Sequence, residues 1–199
     1  ERVGHLLPLA LPGGDVAARE PWRMAAAALH VCGLTDQIVP RYGPVVGETA
    51  ARTIHTMLQR GLNCPQTTAA GRWFDAMAGL LGLSVRQTFE AQAAIALEAS
   101  AARHLQSHGA STVQTDLWNI TPDGVIDLRP WLHEHLLNVD THNPIAVDEA
   151  ALSFHLTLAA SLCKHAITVA RVHQINEVVL GGGCFFNRIL KEAIVSQLE

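Results

Sequence analysis

Apolar residues recur at helical spacing along most of the chain, most clearly between Val147 and His173. In that segment apolar side chains fall three or four positions apart on one stripe, which predicts a long helix packed along one face. The stripe consists of Leu152, Leu156, Ala159, Cys163, Ala166 and Ala170. We predict further helices over residues 21–33, 48–60, 71–82, 85–105, 130–138 and from Phe185 onward.

Strand patterns are short and confined to two places. Polar and apolar residues alternate over residues 112–118, a turn signal stands at Pro122–Gly124, and extended chain resumes at Val125–Leu128, which together predict a β-hairpin. Glu177–Leu180 predicts a short buried strand, and the tight loop Gly181–Gly183 follows it. Because long helices alternate with these strands, we predict an α/β or α+β class in which helices dominate.

The composition excludes several classes of protein. Of the 199 residues, 49% are apolar and only 16% are charged, whereas a disordered chain combines low hydrophobicity with high net charge. The formal net charge of -4 differs from the strongly basic surface that binds nucleic acid, so we expect no nucleic-acid partner. No apolar run reaches about 18 residues and no leader pattern is present, so we expect no membrane-spanning helix.

The cysteines and the chain ends bear on the cellular setting and on completeness. The four cysteines, which have no close spacing, are Cys32, Cys64, Cys163 and Cys184. This spacing predicts reduced thiols in a cytosolic protein rather than a zinc site. The chain starts at Glu1, and its last predicted helix runs to Glu199 without a glycine, proline or basic last turn. We therefore expect a piece of a longer protein.

The segment Val178–Arg188 joins an apolar strand, a glycine-rich loop and a helix. This order presents backbone N–H groups and the positive end of a helix to an anion, and a ligand-free tight turn fits it equally well. No Gly-Lys-Ser/Thr follows the loop, and Phe186 stands where a dinucleotide fingerprint has its third glycine. Asn187 is a candidate to hydrogen-bond a base or to remain solvated.

A second candidate lies in the helix predicted over residues 71–82. Asp75 is an acid among apolar residues, so it must reach water, a partner or a ligand hydroxyl, and an exposed acid is the simplest interpretation. Arg72 is a candidate anion contact.

His104 and His108 lie four apart but have no nearby Glu or Cys, so we predict surface or core histidines and not metal ligands. His155 is predicted to be a satisfied core histidine, and no catalytic residue is assigned.

Five blocks of the sequence together resemble the hydrogenase maturation carbamoyltransferase HypF. For example, Gly71–Gly82 is similar to the family's G-R-L-F-D-A-V-A-A-L-L-G, and Phe89–Glu98 is similar to F-E-G-Q-A-A-x-x-L-E. Each block alone is weak, but the five occur in the family's order and span nearly the whole chain. The blocks occupy residues 11–25, 70–82, 89–98, 154–159 and 180–190.

The resemblance implies a fold and a domain organisation. The expected fold is a helix-rich α/β part of an actin/hexokinase/Hsp70-like ATPase (ribonuclease H-like) domain, related to the enzymes that threonylcarbamoylate tRNA. Within one partial carbamoyltransferase domain over residues 1–199, we expect three parts. They are a helical insert over about 15–108, a hairpin over about 110–128 and a second-lobe helix–strand–loop–helix over about 147–199.

The resemblance also implies an activity in the maturation of [NiFe]-hydrogenases in the cytoplasm. The expected reaction transfers a carbamoyl group from carbamoyl adenylate, made from carbamoyl phosphate and ATP, to the C-terminal cysteine of a HypE-like maturation protein. By the same resemblance, Gly71 and Asp75 lie near the ribose of the nucleotide. Gly182, Gly183 and Asn187 hold its phosphate and adenine sides.

Several features of the family are missing or altered in this sequence. The family's metal ion, zinc or iron, is held by a histidine cluster that belongs upstream of Glu1, and an aspartate segment belongs beyond Glu199, so no metal ligand is expected among these residues. Gly181 replaces a serine, Phe186 replaces a glutamine, and Ala91 replaces a glycine. We expect the chain by itself to be inactive and to bind ATP or AMP weakly.

Two alternatives to this function remain open. One is a small-molecule O-carbamoyltransferase, which shares the fold and the glycine-rich loop. The other is a degenerate, non-catalytic interaction module, which the changes at Gly181 and Phe186 suggest.

Overall fold

The computed structural model describes residues 1–109, 117–136 and 138–199, which form two compact units. The helical unit contains residues 8–97, and the mixed unit contains residues 1–7 and 98–199. The strands are β1 His5–Leu6, β2 Leu9–Ala10, β3 Gln66–Thr67, β4 Asn119–Ile120 and β5 Val125–Asp127. The helices are α1 Pro21–Val31, α2 Ile38–Val46, α3 Glu48–Arg60, α4 Ala70–Leu80, α5 Gln92–His108, α6 Arg129–Trp131, α7 Pro144–His173 and α8 Arg188–Leu198.

Most of the predicted helices are confirmed. α1, α3, α4 and α7 match the predictions within a few residues at each end. Pro21 stands in the first turn of α1, where its missing N–H costs no hydrogen bond, and α3 ends at Gly61 with a left-handed φ of 63°. The predicted last helix begins with a short turn over Gly183–Phe186 before α8 starts.

The helical unit is built around the contact between α1 and α4. The small side chains of Ala25–Ala28 allow close approach on one side. On the other side, a β-carbon on Gly79 would lie 2.6 Å from the carbonyl oxygen of Pro21, closer than any side chain can come. The sequence at this crossing therefore requires a glycine. Large buried side chains surround the contact: Trp22, Met24, Trp73, Phe74 and Met77.

Helix α2 is absent from the predicted elements. It contains Pro40 and Pro44, and proline inside a helix removes a backbone donor and clashes with the preceding turn. Two side chains of this helix donate hydrogen bonds to backbone carbonyls at the end of α4. The Arg41 guanidinium donates to Leu80, and the buried Tyr42 hydroxyl donates to Gly79 at 3.3 Å. Tertiary contacts therefore outweigh the local preference.

The helix predicted over residues 85–105 begins later than expected, because α5 starts at Gln92. Immediately before it, Ala91 has a φ of 63°, in the left-handed region that a β-carbon disfavours. A residue in this conformation cannot continue a right-handed helix, so residues 85–91 form a loop. Glycine, which the resemblance places at this position in the family, adopts the same φ without a steric penalty.

Replacing Ala91 with glycine is expected to raise the free energy of unfolding by roughly 0.5–1 kcal/mol, since relief of left-handed strain exceeds the extra backbone entropy of glycine. Urea denaturation measures the change. Ala96→Gly, in the middle of α5, is the control and is expected to lower stability by about 1 kcal/mol. Similar destabilisation by both substitutions would contradict strain at Ala91.

The mixed unit contains a three-stranded sheet in the order β1-β5-β4. β1 and β5 are parallel, and β4 and β5 are antiparallel with Asn119 opposite Asp127. The turn between β4 and β5 falls at the predicted Pro122–Gly124, where Gly124 has a φ of 81°. Residues 110–116, which include most of the predicted first strand of the hairpin, lie outside the described residues.

Helix α7 runs through the core of the mixed unit and packs against α8. It begins after Asn143, whose side-chain oxygen accepts hydrogen bonds from the N–H groups of Ile145 and Ala146. By length and composition it is the one helix of the described residues that could cross a membrane. However, 61% of its apolar window is buried inside the protein, as in the core helix of a soluble protein.

The strand predicted over Glu177–Leu180 does not form, and the segment is not buried. Val178 is 46% exposed and Val179 is 90% exposed. A β-strand needs a neighbour to receive its backbone hydrogen bonds. No backbone hydrogen bond joins residues 176–181 to the parts of the chain that the structure describes. The apolar run therefore remains extended, unpaired and accessible.

Candidate functional site

The five residues predicted to bind a nucleotide fall in different units of the fold. Gly71 and Asp75 belong to α4 in the helical unit. Gly182, Gly183 and Asn187 belong to the mixed unit. Each unit therefore carries its own group of candidate residues.

Asp75 is a buried acid, and the predicted exposed position is wrong. Its side chain is only 2% exposed. The Oδ1 oxygen accepts a hydrogen bond of 3.0 Å from Gln87 Nε2. The Oδ2 oxygen lies 3.0 Å from Nη1 of Arg72, three residues earlier on the same helix, and forms an ion pair with it. Neither of these two paired atoms makes a hydrogen bond within the described residues, although both are buried.

The surroundings of Asp75 change its acidity. Burial raises the pKa of its carboxyl to about 6, because the charged form loses its hydration. The Arg72 guanidinium and the Gln87 hydrogen bond oppose this effect by favouring the charged form. A carboxyl with a pKa of about 6, together with a buried oxygen that is ion-paired but makes no hydrogen bond in the described residues, is typical of a functional site.

A cleft of about 410 Å³ opens beside Arg72 and Gln87. Its wall is the loop over residues 87–91. Gln92 Oε1, at the start of α5, accepts hydrogen bonds from the N–H and hydroxyl of Thr88 in this loop. The charged side chains that line the cleft are Arg19, Arg72 and Glu90. The volume falls within the range of small-molecule sites. Gly71, four residues before Asp75, lies on the same face of α4.

The block over residues 19–25 has a structural explanation. The Glu20 carboxylate accepts hydrogen bonds from Trp22 Nε1 at 3.1 Å and from Arg23 Nε. Nη1 of Arg23 donates to the carbonyl of Pro12 and lies 2.9 Å from the place where a β-carbon on Gly13 would stand. The acid, the arginine and the glycine thus fix the chain entry to α1.

The glycine-rich loop of the mixed unit is open to solvent. Gly182 has a φ of 103°, which favours glycine, and it precedes the short turn that leads to α8. A β-carbon on Gly181, Gly182 or Gly183 would meet nothing within 4 Å. Packing within the described residues therefore does not explain three consecutive glycines.

Asn187 is held in the interior by both ends of its amide. Its Oδ1 accepts from the N–H of Leu190 at 2.9 Å and caps α8, and its Nδ2 donates to His155 Nε2 at 2.9 Å. His155 in turn donates from Nδ1 to the carbonyl of Ala151 at 2.7 Å, which fixes its neutral tautomer. Burial lowers the pKa of His155 to about 4. The predicted satisfied core histidine is confirmed, while nucleotide binding by Asn187 stays a prediction.

Asn187→Ala is expected to lower the free energy of unfolding by about 2 kcal/mol, because it removes a helix cap and the buried hydrogen bond that Asn187 donates to His155 Nε2. Asn187→Asp keeps the cap but places a carboxylate against His155 Nε2. In that variant the pKa of His155 should rise well above 4, which NMR titration of its ring can follow. An unchanged His155 titration in Asn187→Asp would contradict the contact.

The described residues do not fit a metal site. No group of three or more histidine, cysteine, aspartate or glutamate side chains lies together in the described ranges. The rings of His104 and His108 stack with their centroids 4.7 Å apart, which is a packing contact. No step of the chemistry is therefore assigned to a metal held by these residues.

Comparison with known proteins identifies the family. A family model described as the second subdomain of a carbamoyltransferase, Kae1-like domain matches residues 1–199. The chain belongs to the HypF family. The resemblance based on the five sequence blocks is thereby confirmed.

Curated HypF relatives are longer than this chain. A protein of Cupriavidus necator named carbamoyltransferase HypF homolog is 52% identical over 197 residues, which cover 99% of this chain and 50% of the relative. Carbamoyltransferase HypF2 of the same bacterium is 37% identical, with coverage of 100% of this chain and 26% of the relative. The chain thus spans about half of one relative and about a quarter of the other.

Two solved structures confirm the predicted HypF-type fold. A crystal structure of full-length HypF in the phosphate- and nucleotide-bound form is 26% identical to the chain. It matches with a TM-score of 0.74 over 100% of this chain and 30% of that one. The crystal structure of T. kodakarensis HypF, at 24% identity and a TM-score of 0.77 over 100% of this chain and 26% of that one, supports the fold alone.

Proposed function

We propose that this chain forms part of a carbamoyltransferase that acts in [NiFe]-hydrogenase maturation. The observation that carries the proposal is the family match, which extends over all 199 residues and describes a carbamoyltransferase domain. The relatives named carbamoyltransferase HypF support it. A cytoplasmic setting agrees with the proposal.

In the proposed reaction, water releases phosphate from carbamoyl phosphate, and the resulting carbamate attacks the α-phosphate of ATP to give carbamoyl adenylate with release of pyrophosphate. The acceptor is the C-terminal cysteine of a HypE-like protein. The cysteine sulfur attacks the carbamoyl carbon, a C–S bond forms, the C–O bond to AMP breaks, and AMP leaves while the thiol proton passes to solvent. A metal ion, zinc or iron, belongs to parts of the enzyme other than the described residues.

We assign the nucleotide to the candidate residues as follows. The Asp75 carboxylate accepts hydrogen bonds from ribose hydroxyls beside Gly71. This is supported by its buried Oδ2 oxygen, which is ion-paired with Arg72 at 3.0 Å but makes no hydrogen bond in the described residues. Gly182 and Gly183 offer exposed backbone to the phosphate. Asn187, whose amide caps α8 and bonds His155, acts on the adenine side by fixing the turn before α8. The 26% identical HypF, whose crystal structure is of a phosphate- and nucleotide-bound form, supports nucleotide binding in this family.

The acceptor is tested with the longest natural polypeptide that contains these residues. It is incubated with ATP and carbon-labelled carbamoyl phosphate, and with either a HypE-like protein or a panel of small hydroxyl compounds. Label on the terminal cysteine of the HypE-like protein is the expected result. Label on a small molecule would favour the O-carbamoyltransferase alternative. Absence of any transfer, with the metal supplied, would favour the non-catalytic module.

A further inference from the structure

We propose that Gln87 is a positioning residue of the candidate nucleotide site, which holds Asp75 so that its Oδ2 oxygen is the acceptor for a ligand diol such as that of ribose. The inference rests on the proposed function and extends it to a residue that no sequence motif indicated. Gln87 touches Asp75, and we assign it no contact with the reacting atoms.

The hydrogen bonds of Gln87 use the whole side-chain amide. Nε2 donates to the carbonyl of Ala18 at 2.9 Å and to Asp75 Oδ1 at 3.0 Å, while Oε1 accepts from the N–H of Ala93 at 3.0 Å. The backbone N–H of Gln87 also donates to the carbonyl of Arg19 at 2.8 Å. One residue thus connects the loop before α1, the acid of α4 and the first turn of α5.

This arrangement leaves the two Asp75 oxygens in different states. Oδ1 receives a neutral donor, and the Gln87 amide cannot rotate without breaking two further bonds. Oδ2 is consequently fixed against Arg72, which lines the cleft together with Gln87, while Asp75 itself lies behind these two side chains. A ligand hydroxyl would reach Oδ2 from the cleft when the Arg72 side chain moves aside, and it would then supply a hydrogen bond that Oδ2 does not make in the described residues.

Only an amide fills all of these roles. A carboxylate at position 87 would keep the bond from Ala93 but would face both Asp75 and the carbonyl of Ala18 without a donor. An apolar side chain would keep neither the hydrogen bond to Asp75 nor the one to the carbonyl of Ala18. Arg72 of the same helix is the charged group that lowers the pKa of Asp75. The other charged side chains along the cleft are Arg19 and Glu90.

The first test compares the wild-type chain with Gln87→Met and with the matched control Gln92→Met. The control removes a glutamine at the start of α5 that bonds Thr88 and not Asp75. Affinities for AMP and for 2′,3′-dideoxy-AMP are measured by calorimetry. We expect the wild type and the control to prefer AMP by about tenfold, as for a hydrogen bond to a charged group. Gln87→Met should lose this preference. A purely structural role would weaken both ligands equally, and that result would overturn the proposal.

The second test does not depend on nucleotide binding. Carbon NMR follows the Asp75 carboxyl, assigned with Asp75→Asn, through a pH titration. Since the Gln87 hydrogen bond favours the charged form, Gln87→Met should raise the titration midpoint and Gln92→Met should not. An unchanged midpoint in Gln87→Met would overturn the positioning role. If the wild type binds no AMP while the midpoint shifts, the proposed function fails and the positioning role stands.

Gln87→Glu covers the case in which the methionine variant does not fold. Two adjacent carboxyls share a proton at low pH and repel each other once both ionise. AMP affinity of the wild type should increase as pH rises through about 6, where Asp75 ionises, whereas that of Gln87→Glu should decrease over the same range. Parallel pH profiles for the two proteins would contradict the proposal.

Discussion

Gly79→Ala is expected to lower the free energy of unfolding by about 3 kcal/mol, at the upper end of the usual cost of overpacking a core. The added β-carbon would lie 2.6 Å from the Pro21 carbonyl oxygen and 2.9 Å from the β-carbon of Ala25. Neither neighbour is the flexible end of a long side chain. The backbone of α1 must therefore move away from α4 to accept a single methyl group.

The consequence should extend beyond the crossing itself. The Tyr42 hydroxyl donates to the carbonyl of Gly79, so a displaced α4 would also weaken the anchor of α2. Asp75 lies one turn earlier on α4, and its distance to Gln87 depends on the same helix position. We therefore expect Gly79→Ala to reduce ligand binding as well as stability.

Urea denaturation followed by far-ultraviolet circular dichroism measures the effect of Gly79→Ala. Gly43→Ala is the matched control, because Gly43 also lies inside a helix and its added β-carbon would come no closer than 3.7 Å to any residue other than its chain neighbours. The control should change stability by no more than about 1 kcal/mol, because the higher helix propensity of alanine is opposed by the contact of its β-carbon with the ring of the following Pro44. Equal stabilities of Gly79→Ala and the wild type would show that the two helices are not in close contact.

The sequence predicted those helices that carry a local start signal, a local stop signal or a regular apolar stripe. α1 has Pro21 in its first turn, α3 has Gly61 after its end, and α7 has a stripe of apolar residues. Where tertiary contacts decided, the prediction was incomplete. α2 forms despite Pro44 in its interior because Arg41 and Tyr42 bind to the end of α4.

The two errors over strand and helix extent have different physical causes. Residues 85–91 carry helix-forming side chains, but the left-handed Ala91 and the hydrogen bonds of Gln87 hold them as a loop. Glu177–Leu180 has the composition of a buried strand, but burial requires a neighbouring strand, which local sequence does not specify. In the described residues the segment has no backbone partner.

In the candidate site, too, local sequence signals identified some features, whereas others depended on tertiary contacts. Asp75 was recognisable as an acid in an apolar helix, but its burial depends on Arg72 and on Gln87, which is twelve residues away. Gln87 had no signal of its own in the sequence, since an isolated glutamine in a polar loop is usually solvated. The capping role of Asn187 follows a familiar pattern before a helix, whereas its bond to His155 required the fold.

Asp75→Asn is expected to raise the free energy of unfolding by roughly 2 kcal/mol at pH 8, although it removes a charged partner of Arg72. Burial raises the pKa of Asp75 from its ordinary 3.8 to about 6 in the folded protein. Stability contributed by this carboxyl is therefore fully present below about pH 4 and is lost as pH rises through about 6. A shift of this size corresponds to about 3 kcal/mol, of which loss of the Arg72 pair offsets a part.

The decisive measurement is the difference in unfolding free energy between Asp75→Asn and the wild type across pH 4–8, because other titrating groups cancel in that difference. The difference should be small at pH 4 and should grow in favour of the variant as the wild-type carboxyl ionises. Asp15→Asn, at an exposed acid of the same unit, is the control for the loss of one negative charge. The stabilised variant should bind AMP more weakly, as expected where a buried charge is kept for binding at the expense of stability. A variant that becomes less stable as pH rises would show that pairing with Arg72 outweighs the cost of burial.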